Sequence, residues 1–136
     1  MLKKTITYKD FNGVEHTEDF FFHLSEVELI ELEVSEREGF GELLQRIIDE
    51  KDAKNLVGIF RKFILEAYGE KSEDGKRFIK SDQLREEFSQ TAAYPALYME
   101  LATNAQVAAD FMTGILPAEL ATKLALEDHK PKKSKQ

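Results

Sequence analysis

The sequence predicts an α+β fold: a mainly helical single domain in which an N-terminal β-hairpin packs on a bundle of about five to six helices. Three observations carry this reading. Residues 3–24 read as two strands about a turn, with Asn12-Gly13 supplying the turn chemistry. From residue 26 to about 126, apolar residues recur at helical spacing between capping residues. At 136 residues, 42% of them hydrophobic, the chain is long enough to bury one core without a disulfide or a metal. Residues 1–128 are therefore expected to form a single globular domain, followed by a disordered basic tail over 129–136.

In the hairpin, Thr5-Ile6-Thr7-Tyr8 alternates, and the second strand, from His16 to Leu24, contains the run Phe20-Phe21-Phe22. Alternation puts Phe20 and Phe22 on one face and Phe21 on the other, so the strand is either covered on both sides or presents one face to a partner. Ser25 and Glu28 have the spacing of a capping box opening a short helix through about Leu32. Glu42 to Glu50, with Leu43, Leu44, Ile47 and Ile48, is a second amphipathic segment.

The central helix is expected over Ala53 to Tyr68. Asp52 would cap it, Gly69 would be its left-handed stop, and Gly58 would mark a close helix contact. Its stripe includes Ile59, Phe60, Phe63, Ile64 and Ala67, of which Phe60, Phe63 and Ile64 are the expected core anchors. Gly69 to Phe78 then reads as a charged connector, with Phe78-Ile79 as a short apolar step, either one β-bridge or a staple preceding Ser81. Ser81 caps a helix over Asp82 to Gln90 whose Leu84 and Phe88 face inward. Thr91 would cap the next, Ala92 to Thr103, where Pro95 falls within the first turn and Tyr94, Leu97, Tyr98 and Leu101 form the stripe. Asn104 caps Ala105 to about Thr113, with Gly114 as the stop, and Pro117 admits a last helix over Ala118 to Leu126.

The net charge of −7 is unevenly spread. Twelve acids stand between Glu15 and Glu50 against Arg37 and Arg46, whereas residues 129–136 carry four lysines and no acid. An acidic body argues against nucleic-acid binding, which depends on neutralising phosphates. No apolar run approaches the roughly 18 residues a membrane helix needs, and no apolar stretch follows the first lysines as a signal peptide requires. A soluble, cytoplasmic protein with no membrane partner is the expectation.

No catalytic or metal constellation is legible. The absence of Cys removes thiolate chemistry and leaves the redox compartment open. Glu70, Ser72, Asp74 and Gly75 imitate the start of a calcium loop, but position twelve is Ser81 where a bidentate Glu is required. His16, His23 and His129 lack helical metal-pair spacing, no serine sits in a nucleophile elbow, and Gly39-Phe40-Gly41 is only a fragment of a phosphate loop. Paired carboxylates in so acidic a chain form a solvated face. The expectation is no enzyme, no metal and no cofactor. The ten Phe and four Tyr exceed what a small polar domain needs. Most are core, and Phe20, Phe21, Phe22, Tyr94 and Tyr98 are the candidates for an apolar patch that binds a partner.

Several strings carry a family resemblance: Lys3 to Gly13 with Glu18-Asp19-Phe20-Phe21-Phe22, the segment from Ala67 to Phe78, Phe88-Ser89-Gln90-Thr91, and Tyr94 to Ala102. Up to about Pro117 the chain resembles the tail assembly chaperones of long-tailed, siphovirus-type bacteriophages of Gram-positive hosts. The resemblance implies a non-enzymatic, mostly helical protein of the host cell cytoplasm, missing from the mature virion. Its implied partners are the tape measure protein, which it coats and keeps soluble, and the tail tube protein, engaged in this family through a longer frameshifted product. It transfers no residue-level functional set. The sticky hairpin and the aromatic excess add an expectation of homo-oligomers or arrays along a client. The competing classes are a small phage or bacterial adaptor module and a structural tail completion protein.

Overall fold

The structure is a computed structural model in which residues 1–35 and 53–117 are described. Along the chain come β1 (Leu2–Lys9), β2 (Glu15–Phe22), α1 (Glu26–Ser35), α2 (Ala53–Ala67), β3 (Tyr68–Lys71), β4 (Phe78–Ile79), α3 (Asp82–Ser89), α4 (Ala93–Thr103) and α5 (Ala105–Gly114). This is the expected α+β class, with five helices among the described residues. The expected helices over 42–50 and 118–126, the Asp52 cap and the basic tail lie outside them.

The sheet is larger than the predicted hairpin. Its four strands run in the order β1-β2-β3-β4, each antiparallel to the next. The segment read as a connector is itself a second hairpin. Tyr68 leaves the helix to pair with Phe22, Gly69 pairs with Phe21, and Lys71 pairs with Phe78. The turn between is closed by its own side chains. Asp74 Oδ1 accepts from Ser72 Oγ at 2.7 Å and from the Lys76 amide at 3.0 Å, while Gly75 takes φ +74°. A two-stranded hairpin is marginal alone; adding β3 and β4 places both flanks of β2 in hydrogen bonds and gives the sheet a face wide enough for the helices to cover.

Local sequence chemistry accounts for the other termini. Asp10 Oδ1 receives the Asn12 and Val14 amides, and Gly13 follows at φ +83°, turning β1 into β2. The capping box forms reciprocally: the Ser25 amide donates to Glu28 Oε1 at 2.9 Å, and the Glu28 amide donates to Ser25 Oγ at 3.2 Å. Ser81 and Asn104 accept from the amides of Leu84 and Val107, as predicted. Thr91 does not cap α4; its hydroxyl donates instead to the Phe88 carbonyl, closing α3, and the N-cap is Ala92 with no side-chain bond.

The glycines correct two further expectations. Gly69 is not a left-handed stop but a strand residue, and a Cβ there would stand 2.6 Å from the Phe78 ring and 2.7 Å from the Ile79 carbonyl oxygen. At Gly58 a Cβ would meet nothing within 4 Å among the described residues. Gly114 ends α5 without a positive φ, and the space above it holds the Leu2 side chain. Alanine is therefore expected to act in opposite directions. Gly58→Ala should stabilise by up to about 1 kcal/mol, through helix propensity. Gly69→Ala should destabilise by about 2 kcal/mol, because β3 and β4 must separate. Urea denaturation of the two variants checks both signs.

The core lies between the inner face of the sheet and α2 to α5. Phe22, Leu24, Ile64, Leu97, Leu101, Met112 and Ile115 are fully or almost fully buried there, with Phe60 and Phe63 beside them. Two backbone bonds seal the exit of β2 into this core: His23 N–H to the Ala67 carbonyl and Leu24 N–H to the Ile115 carbonyl, both at 2.8 Å.

Candidate functional site

The two faces of the sheet differ in chemistry, and alternation along β1 and β2 decides which residue stands on which. On the inner face Phe22 lies 5.9 Å from Phe88 and 5.2 Å from Phe111, both edge-on. Tyr68 stacks flat on Phe88 at 4.3 Å between centroids. Phe20 joins this group at 5.3 Å from Phe88, and the row continues through Tyr94, 5.9 Å from Phe88, to Tyr98, a further 5.9 Å on. Phe20 and Tyr98 are half-buried at the two ends of the row, whereas Phe22 is wholly buried and Tyr94 only 9% exposed. Beside Tyr98, Met99 on the same helix is 56% exposed.

The five aromatic candidates therefore do not form one exposed patch. Phe22 and Tyr94 serve the core, Phe20 and Tyr98 bring ring edges to the surface of the inner layer, and Phe21 stands alone on the other face. The Tyr94 hydroxyl is buried without a hydrogen-bond partner among the described residues, and burial raises its pKa; Arg61 is near enough for its charge to oppose that rise. Phe60, Phe63 and Ile64 lie in the core cluster.

On the outer face, polarity changes along the strands. Near the β1–β2 turn it is a hydroxyl and carboxylate ladder, with Thr5 donating to Asp19 at 2.6 Å and Thr7 paired to Thr17 at 3.0 Å. At the other end stand Phe21 and Phe78. Lys71 Nζ lies 5.9 Å from the Phe21 ring centroid, and His23 meets Phe78 edge-on at 6.0 Å. Shallow depressions of about 370 and 270 Å³ adjoin at Lys71, the second rimmed by Met1, His23, Lys76, Arg77 and Phe78. Lys3, Lys71, Lys76 and Arg77 are exposed and form no ion pair among the described residues. The sequence points to Phe21 as a surface candidate but not to Phe78 or this cationic rim, because a two-residue strand carries too little alternation to show which side chain faces outward.

His16 and His23 are explained by their neighbours, and His129 lies outside the described residues. His16 Nε2 sits 2.7 Å from Asp10 Oδ2 and stacks on Tyr8. The Asp10 hydrogen bond raises the His16 pKa above 6.5 despite some burial, and the same bond with the Val14 amide lowers that of Asp10. The Tyr8 phenol, donating to Glu18 at 2.6 Å, is pushed up to about 12 by that bond. His23 is shifted the other way, below 6.5, by burial first and by nearby positive charge. By linkage, the His16 contribution is fully present below 6.5 and is lost as pH rises through its folded pKa. The His23 contribution is present above 6.5 and is lost as pH falls through its folded pKa. NMR titration should accordingly show His16 above and His23 below 6.5, and Asp10→Asn should bring His16 down without moving His23.

No group of three or more metal-ligating side chains occurs among the described residues, and the carboxylate of Asp74 is engaged within its own turn. Among the same residues no helix is long and apolar enough to cross a membrane. What the fold offers is surface: an aromatic row that is half-buried at its two ends on one side and a cation-rimmed aromatic end on the other. Neither curated proteins nor solved structures gave a match to the chain. The family model for phage tail assembly chaperones matches residues 1–136, beyond the point near Pro117 where the resemblance in the sequence ran out. The chain belongs to the phage tail assembly chaperone family.

Proposed function

We propose that this protein binds the tape measure protein, holds it soluble in the cytoplasm of the infected cell and helps recruit tail tube subunits, without a catalytic step and without entering the finished virion. The observation that carries this is the family match over residues 1–136, the whole sequence. The surface chemistry supports it: Tyr98 and Met99 on α4, with Phe20 at the other end of the aromatic row, offer apolar contact area, and Phe22 and Tyr94 hold it rigid from beneath. A long client demands many weak, repeated contacts, which avidity strengthens without any catalytic group.

Co-expression with the tape measure protein, followed by size exclusion, tests the reading. A soluble complex is expected, and Met99→Asp with Tyr98→Ala should weaken it by at least roughly tenfold, the size of a moderate hot spot. No complex and no gain in client solubility would overturn it. Finding the chain in purified virions by mass spectrometry would favour a tail completion protein instead.

A further inference from the structure

We infer that two copies of this chain pair reciprocally, the acidic and apolar face of α1 in each docking on the cation-rimmed aromatic end of the other's sheet. The contact goes beyond client binding and needs no client. Val27 and Ile30, one turn apart on α1, are 66% and 62% exposed, too open for core residues. Glu26 and Glu31, exposed on the same helix, form no ion pair among the described residues, unlike Glu28, whose carboxylate is taken up by Lys80 at 2.7 Å. The sheet end offers the complement: Phe21 and Phe78, with Lys71, Lys76 and Arg77 around them forming no ion pair among the described residues. In a chain of net charge −7, a cluster of cations with no ion pair among the described residues, set around half-buried aromatic surface, fits an acidic, apolar helix face, and α1 is such a face.

The placement of the two surfaces favours a second copy of the chain. They adjoin: Lys80 Nζ, bound to Glu28 of α1, also lies 5.8 Å from the Phe78 ring centroid. Complementary patches side by side on one molecule satisfy each other through a two-fold axis, where each copy gives and receives the same contact, and the pair closes without growing into a filament. The self-contact uses Phe21 on the outer side of the sheet, a surface separate from the inner layer on which Met99 is exposed.

Sedimentation velocity on the purified full chain tests this, with no client present. The wild type is expected at twice the monomer mass at low salt, dissociating as salt screens the pairs. Lys76→Glu with Arg77→Glu, and separately Glu26→Lys with Glu31→Lys, should each weaken pairing by at least about 100-fold, because like charges then face each other. The four changes combined in one chain should restore it. Circular dichroism confirms that each variant is folded; the side chains changed are exposed, and the turn uses only backbone groups of Lys76 and Arg77. A monomer at every concentration, reversals without effect, or failure of the fourfold variant to recover would each overturn the proposal. None of these results bears on whether the monomer binds a tape measure protein.

Discussion

Lys80→Met is expected to lower stability by about 3 kcal/mol, and the melting temperature by roughly 10 °C, although it removes a charge and keeps most of the side-chain volume. Lys80 Nζ donates to the His23 carbonyl at 2.7 Å, to the Glu66 carbonyl at 2.8 Å and to Glu28 Oε2 at 2.7 Å. One ammonium thus joins the exit of β2, the end of α2 and the first turn of α1. Removing it leaves two carbonyls and a carboxylate short of a donor. The figure is held near 3 because the Glu28 side chain is 32% exposed and water can replace part of what it loses. Burial pushes the Lys80 pKa down more than the Glu28 bond restores it, so the ion pair by itself does not offset the cost of desolvation; the carbonyl bonds decide the site. Glu28→Gln should cost only about 1 kcal/mol, since Gln keeps the capping box and Lys80 keeps both carbonyls. Burial raises the Glu28 pKa, but Lys80 and Ser25 outweigh it and hold it below 4.5. Its share of stability is therefore present above pH 4.5 and is lost as pH falls through the folded pKa, and Lys80→Met should flatten that acid limb. Thermal melts of the three proteins across acid pH measure both effects.

Phe22→Ala should cost about 4 kcal/mol, the range for removing a fully buried ring, while Phe21→Ala one residue earlier should cost about 1 kcal/mol. Phe22 is wholly buried against Tyr68, Phe88 and Phe111, three rings from three different elements, so its loss leaves a cavity they cannot close together. Phe21 points to the outer face, over Gly69 and beneath Lys71, where water can fill the space. Urea denaturation of both variants measures the difference. Equal losses would mean that β2 is not in the register in which Phe22 opposes Leu2 and Tyr68.

Much of the fold was legible in the sequence because its signals are local. The caps at Ser25, Ser81 and Asn104, the turn at Asp10 to Gly13 and the alternation of Phe20, Phe21 and Phe22 each depend on residues within four positions of one another, where backbone hydrogen-bond geometry leaves few options. The family resemblance was legible for a similar reason, being carried by short strings such as Ala67 to Phe78. Gly69 shows where such reading fails. A glycine after an amphipathic run signals a helix stop, yet here its lack of a side chain is used by Phe78 and Ile79, which arrive from across a hairpin.

The sequence by itself determined the class, the helix starts after Ser25, Ser81 and Asn104 and the pairing of the first hairpin, because those follow from periodicities of 2 and 3.6 and from capping chemistry. Only the tertiary structure decided which aromatics remain on the surface, that Lys80 gathers partners from 14 to 57 residues away, and that Lys71, Lys76 and Arg77 collect at the outer end of the sheet. Those features arise where distant segments meet, and burial and charge pairing are set there by which neighbours arrive.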